Sequence, residues 1–343
     1  MAEDNEPEST PDPAPAPAHA VPAGAGPVRS RRNSMAMRLV GVAVALVLTM
    51  AVAFAAVVLT GPPSVEDLRR EAGLDDRQQL LIGVKDDQPG IAVNDNGVWK
   101  GFDIDIAYLI AADLGFRRSE VRFVAIESED RARRQATETD GRRVTVDLVI
   151  ASYSITPERE ADPAVSFSVP YLSTEQSVVT LADHRMVSSL EDLRGERVCT
   201  IATATSVTAA AKAGARMERR NKISQCFQAL DKREVDAVST DAAILAGFKL
   251  GNRARYAHFD IGLEASESWG VNVGDNEALR DLVNLTLYRS REDPTDVRWE
   301  EAFERNLAPA VSVNLPAPIA VDQQPETGDK PEVREWPWER VEP

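Results

Sequence analysis

Residues 151–159, Ala-Ser-Tyr-Ser-Ile-Thr-Pro-Glu-Arg, bring together side chains that can hold an anion. The apolar run 146–150 stops abruptly and gives way to the hydroxyls of Ser152 and Ser154, a turn proline, and the guanidinium of Arg159. Hydroxyls and backbone N–H groups at a strand end each donate one hydrogen bond. A guanidinium donates two in parallel, a match to a carboxylate that lysine does not reproduce. The plainer alternative for Arg159 is a helix-start surface residue, with Thr156 as cap and Pro157 in the first helical position. Tyr153 either packs on the ligand or is a core or rim residue. A second constellation ends in Asp241, the carboxylate that closes the run "AVSTD". It can meet a cation or cap the helix expected from Ala242. Thr203 and Thr205, in "ATATS", precede an Ala-rich helical pattern and offer hydroxyl or amide donors.

Conversion of a bound molecule would need a general acid or base beside it. The three histidines, His19, His184 and His258, fall in none of these runs. Glu127, Glu129 and Asp130 form an acidic cluster of the kind usually solvated. Two cysteines and three histidines without clustering are too few for a zinc or iron–sulfur site. The net charge of −16, with cations scattered among carboxylates, argues against nucleic acid as a partner. Retention without chemistry, with no cofactor and no metal, is the expectation.

The elements that position these groups read as α/β. Short apolar runs at 80–84, 121–125, 146–151 and 197–202 alternate with helical patterns. One such pattern, "FDIDIAYLIAADLG", stops at Gly115. Further helices are expected at 131–137, 207–219, 242–251, 277–288 and 297–307. Extended crossings at about 177–183 and 266–272 divide the chain into two α/β lobes closing on a cleft. In open α/β sheets ligands sit at the carboxyl ends of strands, where residues 151–159 lie.

The ends differ from the middle. Residues 1–38 are rich in Pro, Ala and carboxylates and cannot offset their ordering entropy, so a disordered cytoplasmic leader is expected. Residues 39–60 carry no charge and match the hydrocarbon thickness of a bilayer. The leader exceeds that of a cleaved signal peptide, which favours an uncleaved anchor. Arg29, Arg31, Arg32 and Arg38 put the leader inside and all that follows outside the cell. Residues 61–78 read as a linker, and 309–343 as a disordered, acidic, Pro-rich tail with Trp336 and Trp338. Outside the cell Cys199 and Cys226 can pair, worth roughly 3–4 kcal/mol in the chain-entropy model; the alternative is two buried thiols.

The order "GFDIDIAYLIAADLG", "DLVIASYSITPER", "FSVPYL", "SLEDLRGERV", "DAVSTDAAIL" and "WGVNVGDNEALRDLV" resembles the family-3 solute-binding proteins of polar amino-acid ABC importers. Within that family it is similar to the glutamate-binding proteins of actinobacteria, which share "KxDQPG", the two cysteines and "TDA-x-IL-x-G". The resemblance covers nearly all of 79–308. It implies a bilobed type II periplasmic-binding-protein fold, with lobe 1 at about 79–178 and 270–308 and lobe 2 at about 179–269. It assigns Ser154 and Arg159 to an amino acid's α-carboxylate and Asp241 to its α-ammonium. Relatives carry glycine where this chain reads "ATATS", a departure in the turn of Thr203 and Thr205. In relatives that take acidic amino acids, basic residues matching Lys85 and Arg133 meet the distal carboxylate. The implied function is capture of glutamate or aspartate by a monomer for ABC permease subunits. A sensor signalling to a membrane partner is the alternative.

Overall fold

The computed structural model describes residues 31–261, 266–314 and 323–336. The leader up to residue 30, Trp338 and the remaining tail residues lie outside them. The chain divides into two units, Met1–Gly61 and Pro62–Pro343. In the first, helix α1 (Arg31–Thr60) presents its large apolar side chains, from Met35 to Leu59, to its surroundings. Its apolar stretch Met35–Thr60 has 26 residues, about 39 Å at 1.5 Å per residue, enough to cross a bilayer.

The second unit begins earlier than the sequence reading put it. Helix α2 (Val65–Glu71) starts in a capping box, with Ser64 and Asp67 bonding each other's backbone N–H. Val65, Leu68, Ala72 and Leu74 are buried in the main core, so part of the expected linker is structural. Lobe 1 then builds a parallel sheet from β1 (Leu80–Val84), a small antiparallel sheet of β2 (Asp87–Gln88), β3 (Ala92–Asp95) and β4 (Val98–Lys100), and helix α3 (Phe102–Asp113). Strand β5 (Val121–Ala125) pairs with one edge of β1. The helix expected at 131–137 is absent: the hairpin of β6 (Gln135–Thr137) and β7 (Arg143–Thr145) stands there. The turn at "TETDGR" breaks the helical period, and cross-strand pairing supplies the backbone bonds instead. Strand β8 (Leu148–Val149) takes the other edge of β1. The short helix α4 (Pro157–Glu160) follows the site loop, capped by Thr156.

Strand β9 (Leu172–Leu181) carries the chain into lobe 2, crossing several residues before the expected position. The lobe 2 sheet adds β10 (Arg197–Ile201), helix α5 (Ser206–Lys212), β11 (Arg216–Arg220), helix α6 (Ile223–Asp231), β12 (Ala237–Asp241), helix α7 (Ala242–Gly251) and β13 (Tyr256–Asp260). Its strand order is β11-β10-β12-β9-β13. The Ala-rich helix ends at Lys212, and "RMERR" leaves it to form an edge strand. Cys199 on β10 and Cys226 on α6 form a disulfide. Strand β14 (Ser266–Trp269) pairs with the first residues of β9 and returns the chain to lobe 1. There α8 (Glu277–Glu292) and α9 (Arg298–Asn306) pack on α3.

A third connection follows. Helix α10 (Ala308–Asn314) packs on α7 of lobe 2, and Asn314 bonds His258 on β13. Residues 323–336 then return to lobe 1, correcting the reading of the whole tail as disordered. Gln324 Nε2 donates to Leu287 O at 2.8 Å, Arg289 pairs with Glu335 at 2.7 Å, and Arg334 N donates to Pro63 O at 2.8 Å.

The lobes also touch beyond the crossings. Lys222 Nζ lies 2.5 Å from Asp86 Oδ2, and Ser224 N donates to Asp87 Oδ2 at 3.0 Å. Gly247 of α7 lies so close to lobe 1 that a Cβ there would fall on the Pro89 carbonyl.

Candidate functional site

One wall of the interlobe cleft is the loop after β8. Ser152 has φ +43°, a left-handed conformation costly for any residue with a Cβ. Three partners hold it there. Its N–H donates to Asp103 Oδ2 at 3.0 Å, its hydroxyl to Gln88 Oε1 at 2.9 Å, and its carbonyl accepts from Arg131 Nη1 at 2.9 Å. Asp103 sits in the first turn of α3, completely buried, and also accepts from the Tyr171 hydroxyl. Burial pushes its carboxyl up to about 7, against the pull of those two donors.

Tyr153 is buried between two guanidiniums, with Arg131 Cζ at 4.5 Å and Arg159 Cζ at 4.8 Å from the ring centre. Cation–π contact and edge-on packing by Phe167 fix the ring. Arg159 lies in the single turn of α4, as the plainer alternative requires, yet its side chain turns back over the loop. Its Nη1 donates to Ser154 O at 2.6 Å and its Nη2 to Thr203 O, across the cleft, at 2.8 Å. Burial and the neighbouring Arg159 charge bring Arg131 down to about 10, which leaves it cationic at neutral pH.

The facing wall is acidic. Asp241 ends β12 and is buried, and its side chain makes no capping bond to α7. Its Oδ2 accepts from Trp269 Nε1 at 2.7 Å. Burial first, and the nearby Glu267 carboxylate second, hold Asp241 well above the usual carboxylate range. Glu267 reaches in from β14: its Oε2 accepts from Ser154 Oγ at 2.7 Å and its Oε1 from Thr205 Oγ1 at 2.5 Å.

Lobe 1 thus brings Gln88, Arg131, Ser152, Ser154 and Arg159 to a cavity of about 20 Å³, far below the roughly 300–1,000 Å³ of ligand pockets. Lobe 2 closes it with Thr205, Thr240 and Asp241 beside the apolar Ile201, Ala204 and Ile244. Among the residues singled out from sequence, Ser152, Ser154, Arg159, Thr205 and Asp241 line it. Tyr153 stands behind the guanidiniums, and Thr203 contributes a carbonyl while its side chain is exposed. Arg133 does not reach the cleft: its side chain is 66% exposed and pairs with Asp130 at 2.7 Å. Three arginines share this turn, and the geometry sends Arg131 inward. Lys85 is fully buried, and its Nζ donates to Ile126 O at 3.1 Å and Ser128 Oγ at 3.4 Å, with Glu127 at 3.9 Å. Burial lowers its pKa.

Sequence reading missed Arg131, Asp103 and Glu267. The run "GFD" opening α3 was the available sign for Asp103, and alternation along "SESW" the sign for Glu267. In a wider groove between the end of α8 and residues 330–335, Arg298 pairs with Asp113 at 2.8 Å and Lys330 with Glu335 at 2.5 Å.

The model of the bacterial extracellular solute-binding proteins, family 3, matches residues 80–303. The chain is 30% identical over 236 residues to the glutamate-binding protein GluB of Corynebacterium efficiens, covering 64% of this chain and 76% of the relative. It is 27% identical over 243 residues to the ABC transporter glutamine-binding protein GlnH of Bacillus subtilis, covering 68% and 83%. Among solved structures, an ancestral arginine-binding protein bound to arginine superposes with a TM-score of 0.58 at 30% identity, covering 67% of this chain and 98% of that one.

Proposed function

Since the chain belongs to the bacterial extracellular solute-binding proteins, family 3, we propose that it captures an amino acid, glutamate in the first instance, between its lobes and delivers it to an ABC permease. One observation carries this reading: a guanidinium, Arg159, and a carboxylate, Asp241, line the same small cavity from opposite lobes. That is the charge pattern an amino acid's own carboxylate and ammonium require. Arg159 grips the α-carboxylate together with the backbone N–H groups of Tyr153 and Ser154, the Ser152 N–H being held by Asp103. Asp241 takes the α-ammonium.

Similarity to a glutamate-binding protein supports an acidic side chain. So does Arg131, a second guanidinium lining the cavity, which takes the part first given to Arg133. Lys85 adds a neighbouring positive charge rather than a direct contact. An amide side chain would leave this charge poorly matched. Residues 39–60 serve as an uncleaved anchor with the lobes outside the cell, and the protein works as a monomer.

The test is calorimetric titration of the full-length chain in detergent with glutamate, aspartate, glutamine and arginine. Glutamate binding more tightly than glutamine is the expected result. The reverse order would overturn the acidic specificity and leave amino-acid capture standing. Absence of heat from all four would overturn both.

A further inference from the structure

Strand β14 supplies more than a crossing. Residues two apart on a strand share a face, and Glu267 and Trp269 both turn toward the cleft. Trp269 donates its indole N–H to Asp241, while Glu267 joins Ser154 of lobe 1 to Thr205 of lobe 2. The backbone fixes this placement: Ile155 N donates to Ser268 O at 2.8 Å and Gly270 N to Tyr153 O at 3.0 Å.

A hydroxyl has one proton to donate and two lone pairs to offer, whereas an ionised carboxylate only accepts. Both bonds to Glu267 therefore consume the hydroxyl protons of Ser154 and Thr205. Each oxygen then faces the cavity with lone pairs alone. It can accept from a cation but has no proton for an anion.

We propose that Glu267 is a positioning residue that sets the polarity of these two hydroxyls, turning them into acceptors for the ligand's ammonium beside Asp241. The carboxylate is left to Arg159 and backbone N–H groups. This assigns Ser154 and Thr205 to the opposite end of the ligand from the one the family resemblance gives Ser154. The raised carboxyl of Asp241 is in keeping with it, because two neighbouring carboxylates call for a cation between them.

The inference rests on amino-acid capture as proposed above, and its test separates the two. Full-length wild type, Glu267→Gln and Thr205→Val are titrated with glutamate and with glutarate, which lacks the ammonium. Wild type should prefer glutamate. Glu267→Gln, whose amide nitrogen donates and so turns one hydroxyl round, should narrow the glutamate-to-glutarate ratio by about tenfold. Combined with Thr205→Val it should narrow the ratio by less than it does alone, since one of its two targets is gone. Thermal melting of each variant reports folding separately. If Glu267→Gln weakens both ligands equally, or only lowers the melting temperature, Glu267 is a tie between lobes and the inference falls alone. If wild type binds no glutamate, the reading of the ligand falls and this inference with it.

Discussion

The two walls of the cleft hold charge in opposite ways. On lobe 1, Arg131 and Arg159 flank one tyrosine ring and spend donors on backbone carbonyls of residues 128, 151, 152, 154 and 203. No physiological pH discharges a guanidinium, even one brought to about 10. On the facing wall Asp241 has one indole donor and a carboxylate neighbour, and its ionisation is disfavoured until a cation arrives. The first wall is permanently charged. The second is charged conditionally, so occupancy and protonation are coupled there.

The largest effect should come from breaking the permanent wall. Arg159→Ala should cost glutamate affinity about 2–5 kcal/mol, thirtyfold or more, in calorimetric titration; a smaller change would remove Arg159 from the site. Arg131→Ala should act on stability as well, by about 2–4 kcal/mol in denaturant unfolding, because buried carbonyls lose their donor. The conditional wall predicts a proton effect. Asp241 is raised in the free protein and an ammonium favours its ionised form, so binding releases a proton. Affinity should fall as pH falls through the raised value. Titration in buffers of different ionisation enthalpy should give different heats, and Asp241→Asn should erase the difference.

Asp103 sharpens the contrast from behind the first wall. Its folded-state value of about 7 lies above the unfolded value near 3.9, so the folded state binds more protons between them. Its contribution is most favourable below about pH 4 and is lost as pH rises toward 7. Urea midpoints for wild type should therefore fall across that window relative to Asp103→Asn; parallel profiles would refute it. The smallest effect is expected at Arg133, where Ala should change unfolding free energy by no more than about 0.5 kcal/mol.

The contrast also marks what the sequence could show. The loop of Ser152 to Arg159 was legible because hydroxyls and a guanidinium at the end of an apolar run depend on local order alone. The alternation of strands and helices was legible for the same reason, and the disulfide because the chain holds two cysteines and reads as exported. Arg131 and Arg133 could not be told apart, since two residues of one chemistry in one turn differ only in where the backbone aims them. Glu267 was hidden because its partners lie 113 and 62 residues away. Helix α2 was missed although Ser64 and Asp67 spell a capping box, because so short a helix owes its order to packing against α8. The segment 323–336 was missed because its order likewise rests on contacts with α8.

Gly247 has a use beyond close packing. Its bare Cα lets the backbone of α7 settle against Pro89, so a single methyl group there acts as a doorstop. Gly247→Ala changes no residue that lines the cavity, yet its methyl would meet the Pro89 carbonyl and should push α7 off lobe 1. Capture and closure become separable events in such a protein. A ligand would still be touched by one wall, while the joined outline of the two lobes would not form.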